Sequence, residues 1–174
     1  HTDSVVLMAS TGRSFDEFAL VAAKDYFFHK HANRIQYLQR LMNLIPLDRE
    51  PSQTSIKENI RLCRNFVQSG RSLIIYPEGT RSSDGIIRPF KKGIALLALE
   101  LDLPIVPAYI DATFKRWPKG NRILRPGPVR CHIGAPLDAT SFISPGNGGS
   151  VYRKVTQELQ RRVELLREES LNGA

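Results

Sequence analysis

Long apolar runs and cysteines are both scarce in this sequence. No apolar run approaches the roughly 18 residues needed to span a bilayer, and no signal-peptide pattern opens the chain. The two cysteines, Cys63 and Cys131, match neither a metal-binding spacing nor a C-x-x-C redox motif. These absences exclude a disulfide scaffold, and we expect both thiols to be reduced in a cytoplasmic compartment.

Acidic residues are also few. The sequence has 17 aspartates and glutamates against 25 lysines and arginines, which gives a formal net charge of +8. A basic surplus of this size predicts an anionic partner. The candidates are a nucleic acid, a phospholipid surface and a phosphate-bearing substrate. Charge alone does not choose among the three.

The rest of the composition is that of a folded protein. The 174 residues are 41% hydrophobic and include 12 Gly and 11 Pro, which excludes collagen-like and disordered chains. A chain of this length buries about 70% of its unfolded surface, enough for one core. We predict one domain over residues 1–174, with its core at about 1–137, a turn-rich linker at about 140–150 and an amphipathic helix at about 151–168.

Helical and extended patterns alternate along the chain. Ser52 or Thr54 is positioned to cap a helix that carries Cys63 on its apolar face and stops at Gly70. Another helical spacing begins near Ile35 and ends at Pro46. Further helices are predicted at 3–9, 94–101 and 151–168, and strands at 18–23, 72–76, 104–110 and 129–133. This alternation predicts an α/β fold with a single layer of largely parallel β-sheet covered by helices.

The segment 70–81 carries the strongest chemical signal. A predicted strand leads to Tyr-Pro and then to the turn Glu78-Gly79-Thr80-Arg81, at the strand end where open α/β sheets bind ligands. Gly79 permits close backbone approach, and Arg81 offers planar donors suited to phosphate or carboxylate. Glu78 could orient Arg81 or accept from a substrate hydroxyl. A purely structural ion pair that staples the turn is the alternative reading.

Tyr-Pro-Glu-Gly-Thr-Arg-Ser resembles the phosphate-binding block of the glycerolipid acyltransferase family, which acylates 1-acyl-glycerol-3-phosphate and related lysophospholipids. Three further stretches resemble the family's other blocks in the expected order. Ile45–Arg49 resembles the second block, whose arginine contacts the acceptor; Pro89–Gly93 resembles the Phe-x-x-Gly that follows the phosphate block; Leu103–Pro107 resembles the fourth block. The resemblance covers about residues 1–137 and implies a glycerol-3-phosphate acyltransferase-like fold.

The family's catalytic block, H-x4-D, is where the sequence departs from the pattern. Position 6, five after His1, is Val6, which cannot orient an imidazole. In one alignment His1 is the base at an abnormal spacing. In the other, which we prefer, Asp3 is the motif aspartate and the histidine lies three residues before His1. Since the chain opens without Met, we expect a fragment whose natural N-terminus, with any membrane anchor, precedes His1.

The resemblance implies acyl transfer from acyl-CoA or an acyl-carrier protein to the free hydroxyl of a lysophosphatidate or related lysophospholipid. A histidine would act as base and Asp3 would orient it. Arg49 and Arg81 would hold the acceptor phosphate, with Glu78, Gly79 and Thr80 beside them. No cofactor beyond the thioester co-substrate is implied. No metal site is expected, because His29, His31 and His132 fit no ligand pattern.

A basic loop around Trp117 suggests where such an enzyme would meet its surroundings. It carries Lys115, Arg116, Lys119, Arg122 and Arg125. The loop could rest on an anionic membrane or dock an acidic carrier protein, or it could simply be solvated. We expect the protein to be membrane-associated on the cytoplasmic face. The rival functions are a non-catalytic lipid-phosphate-binding family member and a basic nucleic-acid-binding domain, the latter supported only by the net charge.

Overall fold

The structure is a computed structural model that describes residues 2–23, 43–48, 52–80, 82, 84–111, 127–144 and 148–172. The chain divides into two compact units, one of His1–Leu7 with Thr80–Ala174 and one of Met8–Gly79. Each unit is α/β in composition, as the sequence predicts. Within the described ranges, no helix is both long and apolar enough to cross a membrane.

The unit Met8–Gly79 is built on a parallel sheet of three strands. These are β1 (Phe18–Ala23), β2 (Leu44–Leu47) and β3 (Ser72–Ile74), in the spatial order β2-β1-β3. In the register, Leu20 lies opposite both Leu44 and Ile74. The first half of β1 is buried, which matches the continuous apolar run expected of a covered parallel strand.

Strand β2 corrects the sequence analysis at Pro46. That proline was predicted to end a helix, but it pairs with Ala22 inside a strand. Among the described strands β2 lies at an edge of the sheet, where a residue without an N–H donor is tolerated. Residues 24–42, which contain most of the helical spacing predicted from near Ile35, lie outside the described part of the chain. Strand β3 is also shorter than predicted, since it ends at Ile74 rather than Tyr76.

Helix α2 (Gln53–Gln68) connects β2 to β3 and packs against both strands. Its predicted signals are confirmed. The Ser52 hydroxyl caps the first turn by accepting from the Ser55 N–H, and Gly70 follows the last turn with a φ of 83°. Cys63 is fully buried on the apolar face, and this burial raises the pKa of its thiol to about 11. Cys63 is therefore a packed thiol.

The second unit has its core between two helices, α3 (Gly93–Leu101) and α4 (Gly148–Asn172). Helix α4 buries Val151, Val155, Leu159 and Val163 at intervals of four residues, as its apolar pattern predicts. The helix is longer than the predicted 151–168, and a short 3-10 helix at Thr140–Phe142 precedes it. Most of this helix thus stabilises the unit by burying one apolar face.

Strands β4 (Ala108–Asp111) and β5 (Arg130–Ile133) form an antiparallel pair. The extended stretch before β4 was predicted as part of the same strand, yet Ile105 forms an isolated bridge there, through two backbone hydrogen bonds with Leu137, and the Pro107 carbonyl accepts from the Gly134 N–H at 2.9 Å. Pro104 and Pro107 flank that residue and lack N–H donors, so they interrupt the ladder. The packing beyond β5 is tight, because a Cβ on Gly134 would lie 3.1 Å from Pro107 Cγ.

Candidate functional site

The parallel sheet places two of the sequence blocks at one edge. Strands β2 and β3 run in the same direction on either side of β1, so their carboxyl ends reach the same edge. Asp48, which precedes Arg49, follows β2 directly, and the segment leading to Glu78 follows β3. The described parts of the second block and of the phosphate block therefore follow the carboxyl ends of two parallel strands, the end at which open α/β sheets commonly bind ligands.

Structural hydrogen bonds hold the other end of the sheet, where the amino ends of the three strands lie. The Asn43 side chain donates to the Phe18 carbonyl at 2.9 Å, and Arg71 Nε donates to the Asp16 carbonyl at 3.0 Å. Arg13 also bonds Ser72 at the start of β3, at 2.9 Å. These contacts fix the amino ends of the strands.

A tight turn follows β3 and shapes the phosphate block. The Gly79 N–H donates to the Tyr76 carbonyl at 3.0 Å, with Pro77 as the first central residue. Proline at that position and glycine at the last are favoured in the commonest β-turn. Gly79 has a φ of 69°, the left-handed region that glycine adopts without strain. Glu78 is half-buried in this turn, and Thr80, just beyond it, is exposed.

Asp3 lies in the first turn of helix α1 (Thr2–Ser10) and is half-buried. A carboxylate there is favoured by the positive end of the helix dipole. Ser4 and Met8, one turn apart, are both about 1% exposed, so this face of the helix is packed. The predicted helix is confirmed, and it holds Asp3 on a regular element.

Three of the predicted site residues, His1, Arg49 and Arg81, lie outside the described residues, as does the whole basic loop from Lys115 to Arg125. The structure describes the other four, Asp3, Glu78, Gly79 and Thr80. Across the described ranges, no group of three His, Cys, Asp or Glu side chains is arranged to hold a metal ion.

The Phe-x-x-Gly segment makes a contact that the sequence did not reveal. The Phe90 N–H donates to Oε1 of Gln160 at 3.1 Å, and Gln160 Nε2 in turn donates to Glu164 at 2.9 Å. Gln160 belongs to α4, 70 residues along the chain. The amphipathic pattern of α4 gave no signal for this contact, because a polar residue at the border of an apolar face is usually solvated.

The family model described as Acyltransferase matches residues 1–111. The chain belongs to this acyltransferase family. The match runs from α1 to the end of β4 and includes the phosphate block and the three further stretches that resemble family blocks, whereas β5 and α4 lie beyond it. The expected α/β acyltransferase fold is confirmed.

Individual relatives agree with the family. The 1-acyl-sn-glycerol-3-phosphate acyltransferase of Limnanthes alba is 39% identical over 105 residues, covering 60% of this chain and 37% of the relative. The Homo sapiens 1-acyl-sn-glycerol-3-phosphate acyltransferase beta is 33% identical over 113 residues, covering 65% of this chain and 40% of the relative. The chain thus spans about two fifths or less of these relatives' lengths.

A solved structure extends the likeness beyond the family match. The crystal structure of the 1-acyl-sn-glycerophosphate (LPA) acyltransferase PlsC from Thermotoga maritima aligns with a TM-score of 0.60 at 27% identity. The alignment covers 86% of this chain and 56% of that chain. At this coverage the likeness includes elements beyond residue 111.

Proposed function

We propose that this protein transfers a fatty acyl group from a thioester donor to the free hydroxyl of a lysophosphatidate or related lysophospholipid. The observation that carries the proposal is the sheet edge. Strands β2 and β3 lie on either side of β1, and in the sequence Arg49 comes two residues after β2 while Glu78-Gly79-Thr80-Arg81 comes shortly after β3. The names of the relatives support lysophosphatidate as the acceptor.

In this mechanism the acceptor phosphate is held by guanidinium groups. Arg49 and Arg81 would bind it through charge-assisted hydrogen bonds, and the binding energy would orient the reacting hydroxyl. Gly79, already in the left-handed region, keeps the turn free of a side chain that would obstruct the phosphate. Glu78 would orient Arg81 or the glycerol, and the exposed Thr80 would supply a second donor.

A histidine would remove the hydroxyl proton as the oxygen attacks the thioester carbonyl. The oxygen then forms the new ester bond as the carbon–sulfur bond breaks, and the imidazolium gives its proton to the leaving thiolate, which departs as the free thiol. The carboxylate of Asp3 would hold the imidazole in the productive tautomer. The base is either His1 or, in the alignment we prefer, a histidine three positions before it. The acceptor attacks directly, so no acyl-enzyme forms and no cofactor is required.

We propose further that the enzyme works at an anionic membrane surface on the cytoplasmic side. The net charge of +8 supports this placement. The basic loop around Trp117 would contact lipid headgroups or an acyl-carrier protein.

The test is a thiol-release assay with an acyl thioester and lysophosphatidate, on the protein with whatever sequence its gene places before His1. Asp3→Asn should lower kcat on the order of 10²- to 10⁴-fold, the range of acid–base catalysis. Arg81→Ala should mainly raise KM for the acceptor, by roughly tenfold or more. Lys57→Ala, an exposed substitution on α2, is the control and should change neither.

Three results would contradict the proposal. Unchanged kinetic constants in Asp3→Asn would remove Asp3 from the catalytic pair. Lysophosphatidate binding without any thiol release would favour the non-catalytic family member. Salt-sensitive DNA binding with no response to lysophosphatidate would favour the nucleic-acid-binding alternative.

A further inference from the structure

A cavity of about 260 Å³ lies between the Phe-x-x-Gly segment and helix α4. One wall is formed by Pro89, Phe90 and Lys92, and the other by Arg153, Thr156, Gln157 and Gln160. All these residues belong to the unit that contains α4. The cavity is just smaller than the roughly 300–1,000 Å³ of whole-ligand sites, so it would accommodate one compact part of a larger molecule.

The lining is cationic. Lys92 and Arg153 contribute two positive charges, and no acidic residue is among the lining residues. Neither cation forms an ion pair within the described part of the chain. By contrast, Arg161 and Arg162 on the same helix are both paired with Glu158. Two unneutralised cations at one concave site attract an anion.

The polar groups of the cavity divide into fixed and available ones. Gln160 is held by its bonds to Phe90 and Glu164, and the Thr156 hydroxyl donates to the Tyr152 carbonyl at 2.6 Å. The Gln157 amide has no partner among the described residues. The donors that remain for a ligand are thus the two cations and one amide, beside the apolar surfaces of Pro89 and Phe90.

We propose that this cavity binds the phosphorylated nucleotide portion of a coenzyme A thioester. Phosphate groups would meet Lys92 and Arg153, while the flat adenine would lie on the apolar wall. The size of the cavity favours this occupant over a carrier protein, since protein docking needs a surface of about 800 Å² per partner. Naming the nucleotide as part of the acyl donor rests on the proposed function.

The position of the cavity is consistent with a donor site. Its first wall begins seven residues after the phosphate block ends at Ser82, and the Phe90–Gln160 hydrogen bond holds that wall against α4. The family match ends at residue 111, and helix α4 lies beyond it. Because α4 supplies Arg153 to the cavity, the helix would add a donor contact that lies outside the matched family segment.

The experiment is calorimetric titration of the chain with adenosine 3′,5′-bisphosphate. Arg153→Gln and Lys92→Gln should each weaken binding by roughly five- to tenfold, as expected for one charge-assisted contact in a partly exposed site. Lys154→Gln is the matched control, because Lys154 is adjacent on α4, exposed and outside the cavity lining. It should leave the Kd unchanged, and Arg153→Lys should retain most of the affinity.

Competition identifies the source of the phosphate. Inorganic phosphate or a short-chain lysophosphatidate that displaces the nucleotide at equal concentration would overturn the nucleotide assignment. Equal weakening by Lys154→Gln and Arg153→Gln, or no binding by the unmodified chain, would overturn the site itself. Circular dichroism of each variant checks that these exposed substitutions leave the fold intact.

Kinetics separate this inference from the proposed function. With acyl-CoA as donor, Arg153→Gln should raise KM for acyl-CoA and leave kcat and the acceptor KM unchanged. If transfer occurs and the donor KM does not move, the cavity assignment fails and the proposed function stands. If Arg153-dependent nucleotide binding occurs without any acyl transfer, the proposed function fails and the site stands.

Discussion

The pH dependence of stability provides a quantitative test of how α4 is held in place. Glu158 accepts hydrogen bonds from Arg161 and Arg162, each at 2.8 Å, and these bonds lower its pKa from 4.5 to about 2. Arg162 also donates to the carbonyls of Ala135 and Pro136 at 3.3 Å. The Glu158 carboxylate therefore orients an arginine that connects α4 to the segment after β5.

The magnitude follows from the pKa difference. Each unit of pKa corresponds to about 1.36 kcal/mol. The fall of the Glu158 pKa from 4.5 to about 2 therefore corresponds to at most roughly 3.4 kcal/mol of folding free energy. The side chain is 22% exposed, so solvent screens part of this interaction, and we expect about 1–2 kcal/mol. Because the folded-state pKa is lowered, this stabilisation is present above the unfolded-state pKa and is lost as the pH falls from about 4.5 towards 2.

The assay is urea unfolding of Glu158→Gln and the unmodified chain, followed by far-ultraviolet circular dichroism at pH 7 and pH 3. The variant should be less stable by about 1–2 kcal/mol at pH 7, and less than roughly half of this difference should remain at pH 3. Glu58→Gln is the control, since Glu58 pairs with Arg61 in a more exposed setting and its loss should matter much less. An equal difference at both pH values would refute the electrostatic reasoning and indicate a packing role for Glu158.

Two further predictions concern α2. Ser52→Ala should lower the free energy of unfolding by about 1 kcal/mol because it removes the side-chain cap, whereas Thr54→Ala should leave the urea midpoint nearly unchanged; equal losses would mean that Ser52 is not the cap. Cys63, with a pKa of about 11 and no exposed surface, should be alkylated far more slowly at pH 8 than the half-buried Cys131. Peptide mass spectrometry after timed iodoacetamide treatment measures both rates, and comparable rates would contradict the packed environment of Cys63.

Local signals predicted the elements whose ends are set by local chemistry. The sequence offered Ser52 or Thr54 as the cap of α2 and Gly70 as its stop; Ser52 is the cap and Gly70 follows the last turn, because a capping hydroxyl and a left-handed glycine act within one turn of the chain. The apolar run of β1 gave its bounds, since a strand covered on both faces contains few polar residues. The spacing of apolar residues predicted the buried face of α4, because residues three or four positions apart lie on the same side of a helix.

Pairing between distant segments decided what these signals could not. Pro46 ends helices in most contexts, yet here β1 supplies a neighbour that draws it into an edge strand. Ile105 was predicted within a continuous strand, but it forms an isolated bridge with Leu137, 32 residues along the chain and outside the β4–β5 ladder. In each case the outcome depends on which partner lies alongside, and a single segment does not contain that information.

The candidate site divides in the same way. The sequence by itself predicted the chemistry, because Glu78-Gly79-Thr80 and Asp3 match the family pattern by residue type and order, and their roles stay predictions. Only the tertiary structure brought the ends of β2 and β3 to one edge and set Lys92 and Arg153 around one cavity. The physical reason is that residue types fix which bonds a group can form, whereas long-range packing fixes which groups are close enough to act together.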